Sequence, residues 1–239
     1  MALQGVQRHP HLGRIAIAPR GHGRHRQCRQ LPVRQHAHEK AALERGMDVG
    51  VAQQRQSHAL FAHLLQRELV VADDAVADAV RAHDAVVSAF SPGWSDPALY
   101  DNFLRGSAAI EGGVAASGVR RLLVVGGAGS LFVAPGVQLV DTPAFLDHVR
   151  PTIVPGAQAA RDVLNRLRAD TVLDWTFLSP PALLGQGDAT GSYRVGADDL
   201  LMDGDKPAGI AVADLALAIA DEIEQPRHLR ARFTVASQA

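Results

Sequence analysis

The sequence predicts an α/β fold with a doubly wound parallel sheet, and three features of the chain indicate it. Apolar runs at residues 85–89 and 122–125 have the length and composition of buried strands, and residues 174–178 are predicted to form the next strand. Stretches with helical spacing of apolar residues separate these runs. Glycine, serine or proline lies within the two residues that follow each strand, as is typical where a chain leaves a sheet beside a ligand.

The composition of the chain changes near residue 68. Residues 1–68 carry 11 Lys and Arg against 4 acids, whereas residues 69–239 carry 13 against 21. We therefore divide the chain into an atypical basic segment, 1–68, and an ordered domain, 69–239. No apolar run approaches the length of a membrane span, and the N-terminus lacks the apolar region of a secretory signal. The single cysteine, Cys28, excludes an internal disulfide and fits a reducing cytoplasm.

The basic segment predicts little regular structure. Residues 14–18 favour a strand followed by a turn at Gly21 and Gly23, and residues 39–45 favour a helix that Gly46 ends. Nucleic-acid binding is disfavoured because no reading helix or aromatic platform accompanies the charge. Metal binding by the paired histidines is disfavoured because cysteine and carboxylate partners are scarce. A third hypothesis is that much of the segment is a frame-shifted or mis-started translation of GC-rich DNA.

The sequence of the ordered domain predicts four helices. The first is capped by Asp73 or Asp74, the second runs from Asp96-Pro97 to Ser117, and the others pass through residues 157–167 and 215–223. A short closing strand is expected at 232–235 and a small hairpin near 193–195.

The strand ends predict a ligand-binding edge. A right-handed crossover between two parallel strands places Ser88 and Ser130 on the same edge of the sheet. The third strand contributes Ser179 and Pro180 there. The alternative interpretation is that the glycines after residue 125 only form a tight turn out of a core strand.

Four segments resemble one family in the same order along the chain: 83–90 (HDAVVSAF), 118–131 (GVRRLLVVGGAGSL), 173–181 (LDWTFLSPP) and 225–235 (QPRHLRARFTV). They are similar to the NAD(P)H-binding atypical short-chain dehydrogenase/reductases, and within them to the NADH–flavin reductase group and biliverdin-IXβ/flavin reductase. The resemblance covers about residues 69–237 and implies a Rossmann-like sheet with a nicotinamide cofactor. By position it implies these cofactor-binding residues: Ser88, Ala89, Phe90, Gly126, Gly127, Ala128, Gly129, Ser179 and Pro180. Ser130 is the implied catalytic candidate, as a hydrogen-bond donor to the acceptor or the nicotinamide amide; the alternative is a turn serine that caps the backbone.

Two family motifs are missing. No Gly-x-x-Gly-x-x-Gly follows the first strand, and Gly21 and Gly23 are the positional candidates for the phosphates. The residues four positions after Tyr100 and Tyr193 are Leu104 and Ala197, so the Tyr-x-x-x-Lys pair of classical members is absent. Carbonyl reduction and epimerisation by that route are therefore disfavoured, whereas hydride transfer to a flavin depends mainly on positioning.

Other side chains have simpler interpretations. Trp175 is expected in the core, and Trp94 in a loop where stacking on an acceptor ring is an alternative. His148 is expected to be a solvated loop residue, and the acids from Asp198 to Asp205 a solvated turn without a metal.

These observations predict a cytoplasmic oxidoreductase that moves a hydride from NADP or NAD cofactors to a small-molecule acceptor, with FMN or FAD as the candidate substrates. The alternatives are a non-catalytic NAD(P)-binding redox sensor, or an inactive fold fragment without the phosphate-binding loop. We expect a monomer or homodimer with no membrane partner and no nucleic-acid partner.

Overall fold

The computed structural model describes residues 15–18 and 73–238. The strands are β1 (Ile15–Ala18), β2 (Ala85–Ser88), β3 (Arg121–Val125), β4 (Phe132–Ala134), β5 (Val137–Gln138), β6 (Asp174–Ser179), β7 (Leu183–Gly185), β8 (Arg194–Gly196), β9 (Met202–Asp203), β10 (Lys206–Pro207), β11 (Gly209–Ala211) and β12 (Ala231–Ala236). The helices are α1 (Asp73–Val80), α2 (Leu99–Ser117), α3 (Pro143–His148), α4 (Val154–Arg168) and α5 (Val212–Glu224).

Six of the described strands form the central sheet, in the order β1-β2-β3-β6-β12-β8. The pairs from β1 to β12 are parallel, and β8 runs antiparallel to β12. The strand predicted at residues 14–18 is confirmed, since β1 pairs with β2. The doubly wound parallel sheet predicted from the apolar runs is likewise confirmed.

Helices cover both faces of this sheet. On one face, α2 and α4 pack against Val86, Leu122 and Phe177; on the other, α5 packs against Val87 and Leu123. Consecutive strand residues therefore enter different cores, and both are fully buried. Each such side chain contributes about 1.5–3 kcal/mol of hydrophobic stabilisation. Because both faces are buried, an apolar residue is favourable at every position of the strand, and the strands are continuous apolar runs.

The second predicted helix begins two residues later than expected. Asp96 Oδ1 accepts from the backbone N of Ala98 at 2.8 Å, so Asp96 closes a turn ahead of the helix and α2 starts at Leu99. Gly118 ends α2 in the left-handed conformation, with φ of +86°. The inward-facing residues predicted for this helix are buried: Leu99, Phe103, Ile110 and Val114.

The hairpin predicted near residues 193–195 is wrong. Arg194 and Val195 belong to β8, which extends the central sheet by pairing with β12, and the hairpin of this region is β9–β10. The loop expected after Ser130 also contains a hairpin, β4–β5, and the short helix α3, for which Thr142 Oγ1 accepts from Phe145 N at 3.1 Å.

Several predictions lie outside the described residues. These are the turn at Gly21 and Gly23, the helix at 39–45, the histidine pairs and Cys28. In the described ranges, no helix has the length and apolarity that crossing a bilayer requires.

Candidate active site

The carboxyl ends of β2, β3 and β6 lie side by side. Ser88 pairs in register with Val124, and Val125 pairs with Leu178. Gly126 N then donates to Leu178 O at 2.9 Å, which extends the sheet by one residue. The predicted edge residues on these three strands are therefore neighbours. Gly127 and Ala128 are partly exposed there, whereas Ser88 and Ser179 are buried.

The glycines after β3 have different roles. A Cβ at Gly126 would lie 2.0 Å from Phe177 Cζ, so the ring of Phe177 requires a glycine at this position. A Cβ at Gly129 would lie 3.2 Å from Val140 Cβ and 3.3 Å from Ala157 Cβ. Gly127 meets only Ala160 Cβ, at 3.9 Å. Gly127 is thus the glycine of this group with open space beside its backbone, and packing explains the other two.

Phe90 contributes its backbone rather than its ring to the edge. The ring is buried against Phe103, with centroids 6.0 Å apart and an interplanar angle of 62°. A Cβ at Gly106 of α2 would lie 2.2 Å from Phe90 Cζ, so that glycine leaves the space for the ring. The side chain of Phe90 therefore lies in the core, and a ligand at this edge would meet its main chain.

Ser130 lies at the end of a single 3₁₀ turn, Ala128–Ser130, and is 1% exposed. Its Oγ accepts from Arg232 Nη1 at 3.1 Å, and its carbonyl oxygen accepts from the same nitrogen at 2.7 Å. Gln138 Nε2 donates to that carbonyl as well, at 3.0 Å. These bonds fix the turn, and Ser130 Oγ retains its own proton for donation.

Arg232 is the site-supporting residue that the sequence did not indicate. It lies on β12, in register with Phe177, so its side chain faces α4. Arg232 Nε donates to Asp198 Oδ1 at 2.7 Å, and Arg232 Nη2 donates to Asp198 O at 2.9 Å. Burial lowers the pKa of the guanidinium, and the charge of Asp198 opposes that shift. The ion pair keeps the cation charged beneath the turn.

The other side chains considered in the sequence differ in their exposure and in their partners. Trp175 is in the core, as predicted, whereas Trp94 is 45% exposed. His148 is exposed, with Nδ1 2.8 Å from Ala144 O. Asp198 and Asp203 pair with arginines. Among residues 73–238, no three His, Cys, Asp or Glu side chains converge as ligands for a metal ion.

A family model described as NAD(P)H-binding matches residues 36–226, which include β2, β3 and β6. The chain belongs to the NAD(P)H-binding family. The matched region begins at residue 36, so β1, Gly21 and Gly23 all precede it.

Several known proteins resemble the chain over most of its length. The uncharacterized protein YwnB of Bacillus subtilis is 38% identical over 172 residues, which cover 68% of this chain and 75% of YwnB. A "putative epimerase" of Bacteroides thetaiotaomicron is 40% identical, with a TM-score of 0.63 over 70% of this chain and 74% of that one. A "putative NADH-flavin reductase" of Streptococcus pneumoniae is 30% identical, with a TM-score of 0.56 over 68% and 75%.

A fourth similar protein bears on the compartment. A "putative exported protein" of Burkholderia pseudomallei is 36% identical, with a TM-score of 0.63 over 72% of this chain and 82% of that one. The cytoplasmic location expected from the sequence stays a prediction.

Two buried hydroxyls at the described edge lack hydrogen-bond partners. Ser179 Oγ, at the end of β6, is buried and has no hydrogen-bond partner among the described residues. Thr234 Oγ1, its register neighbour on β12, is also buried without a hydrogen-bond partner among the described residues. A buried hydroxyl without a partner costs about 1–3 kcal/mol, so a ligand amide or a bridging water there would be stabilising. Gly127 adds a backbone that a flat ring can approach closely.

Proposed function

We propose that the protein is an NAD(P)H-dependent oxidoreductase that transfers a hydride to a flavin or a similar conjugated acceptor. Membership of the NAD(P)H-binding family supports the cofactor, and the likeness to a "putative NADH-flavin reductase" supports the acceptor class. When bound, a reduced nicotinamide supplies a hydride, and the acceptor completes its two-electron reduction with a proton from solvent.

The state of the two tyrosines carries this proposal. Tyr100 OH donates to Asp162 Oδ2 at 2.7 Å, and Tyr193 OH donates to Asp221 Oδ2 at 2.7 Å. The hydrogen bond to Asp162 raises the pKa of Tyr100, and burial together with the bond to Asp221 raises the pKa of Tyr193. These are the chain's two tyrosines. A catalytic tyrosine needs a lowered pKa to exchange its proton near neutral pH, so both are unsuited to general acid–base work.

The residues at the edge would then act by binding and positioning. Gly127 and Ala128 would offer their main chain to one side of the nicotinamide, and the unpartnered hydroxyl of Ser179 would reach the carboxamide through a bridging water. Ser130, held by Arg232, would donate its remaining proton to the acceptor or to the nicotinamide amide. Holding two reactants in one orientation supplies a large part of the rate for such a transfer.

Tyr100→Phe and Tyr193→Phe should each retain turnover. We expect the rate of NADPH oxidation with FMN or FAD to change far less than the about 10²–10⁴-fold loss caused by removing a general acid or base. The measurement is the steady-state decrease of NADPH absorbance under anaerobic conditions. Thermal unfolding of both variants controls for lost folding, because each removes a hydrogen bond.

Each result of the assay has a defined meaning. A hundredfold loss in either folded tyrosine variant would contradict the proposed mechanism. NADPH binding without turnover on any flavin would favour the redox sensor, and absence of binding would favour the inactive fragment.

A further inference from the structure

Trp94 is exposed at the edge that the proposed function uses. It lies in the loop that follows β2, six residues after Ser88, and β2 is the direct neighbour of β3. Among the exposed large apolar residues of the described chain it is the only aromatic one. The other tryptophan, Trp175, is 3% exposed. An indole left in solvent beside a candidate active site is suited to ligand contact.

A glycine in the first turn of α4 forms a seat for this indole. A Cβ at Gly156 would lie 3.0 Å from Trp94 Cζ3 and 3.1 Å from Leu99 Cδ2. Glycine in a helix lowers the equilibrium constant for helix formation about fivefold relative to alanine. At Gly156 it lets one edge of the ring rest against the helix backbone. The ring is therefore anchored on one side while nearly half of the residue stays accessible.

The loop that carries Trp94 is braced on both sides of the ring. Gly93 has φ of +104°, a conformation that other residues rarely adopt, and its N donates to Ser91 Oγ at 3.3 Å. Asp96 N donates to Gly93 O at 3.1 Å, and Asp96 Oδ2 accepts from Asn102 Nδ2 at 2.7 Å. Ligand contact with a ring held in this way loses little conformational entropy.

We infer that Trp94 is a stacking platform for the acceptor and a specificity-determining residue of this site. The inference rests on the proposed function and names the residue that selects its planar, conjugated acceptors. Such a ring would lie against the accessible part of the indole and extend toward the main chain of Gly127 and Ala128, which follow β3. Acceptors without a planar ring gain nothing from this surface, so they bind weakly.

The test compares Trp94→Ala, Trp94→Phe and a control, Leu229→Ala. Leu229 is 50% exposed, like Trp94, but precedes β12 at the opposite edge of the sheet. We measure the Kd of FMN from its own fluorescence, the Kd of NADPH, and the KM of FMN in turnover. Trp94→Ala should raise the Kd and KM of FMN about 5- to 100-fold, the range for losing one aromatic stacking partner. Trp94→Phe should recover part of that loss, and Leu229→Ala should leave FMN binding unchanged.

The Kd of NADPH separates this inference from the proposed function. It should be equal in all four proteins, because the platform serves the acceptor alone. If the wild type turns over NADPH with FMN but Trp94→Ala keeps the wild-type KM, the stacking inference is wrong and the proposed function stands. If the wild type does not bind NADPH, the proposed function is wrong, while an FMN affinity that depends on Trp94 still supports the platform. An FMN affinity that is independent of Trp94, or absent, overturns it.

Discussion

Replacing Glu222 by alanine should lower the free energy of unfolding by about 3–5 kcal/mol. The Glu222 side chain is 3% exposed, and Arg121 Nη2 donates to its Oε1 at 3.0 Å. His228 Nδ1 lies 2.8 Å from Oε2, and His228 N donates to Oε1 at 3.1 Å. The alanine variant leaves a largely buried guanidinium and backbone N–H groups without their acceptor. Urea unfolding followed by circular dichroism measures the difference.

The same carboxylate makes stability depend on pH. Burial raises the pKa of Glu222, but hydrogen bonds from the His228 side chain and from the main chain of His228 and Arg227 lower it by more. Its pKa in the folded protein is therefore below the usual value of about 4.3. A depressed carboxyl pKa contributes stability that is fully present above about pH 4.3 and is lost as pH falls through the lower, folded value. Glu222→Gln should flatten this acid limb of the stability profile.

An exposed ion pair provides the control for Glu222. Asp78 and Arg81 form a pair whose side chains are mostly in solvent. Asp78→Ala should therefore change the free energy of unfolding by about 0–1 kcal/mol. If Glu222→Ala is as stable as Asp78→Ala, the bonds of Glu222 with Arg121 and His228 do not stabilise the fold.

Replacing Arg232 by methionine should lower the free energy of unfolding by about 2–3 kcal/mol. The loss of one partner from a buried ion pair costs about 3–5 kcal/mol, and we expect a loss below this range because half of the Asp198 side chain is in solvent. The substitution also removes the donor to Ser130 Oγ and to its carbonyl oxygen. We expect the turn Ala128–Ser130 to loosen and NADPH binding to weaken. Urea unfolding and cofactor titration measure the two effects.

Arg168 is the matched control for Arg232. Arg168 Nη2 donates to the same carboxylate oxygen of Asp198 at 3.2 Å, but its side chain is 41% exposed. Arg168→Met should change stability by less than about 1 kcal/mol and leave NADPH affinity unchanged. If Arg168→Met and Arg232→Met lower stability and NADPH affinity equally, the positive charge near Asp198 explains both effects. The hydrogen bonds from Arg232 to the turn would then contribute nothing.

The sequence was sufficient for the central strands because burial on both faces leaves an unambiguous pattern. Residues 122–125 are apolar without alternation since Leu122 and Leu123 enter opposite cores. The pairing of β8 with β12 could not be predicted in this way. It joins residues 40 positions apart at the edge of the sheet, where half-exposed side chains give no periodic signal. Helix α3 did have a local signal, Thr142 followed by Pro143, which is typical of an N-cap.

For the candidate site, the sequence predicted which residues lie together at one edge of the sheet, but not the contacts that each of them makes. Adjacent parallel strands fix which residues share an edge, so Ser88, Gly126 and Ser179 could be grouped from the sequence. The role of Gly126 depends on the ring of Phe177, and the state of Ser130 depends on Arg232, 102 residues later in the chain. Contacts at such separations follow from packing of the whole fold. A polar residue within an apolar strand, as Arg232 is, was the available signal for the second contact.

The most direct test of the central claim is titration of the 239-residue chain with NADPH and then NADH, followed by cofactor fluorescence. The claim is that the chain binds NAD(P)H although no Gly-x-x-Gly-x-x-Gly follows β1. We predict micromolar binding of at least one cofactor, which corresponds to about −8 kcal/mol. Absence of binding of both up to millimolar concentration would contradict the account.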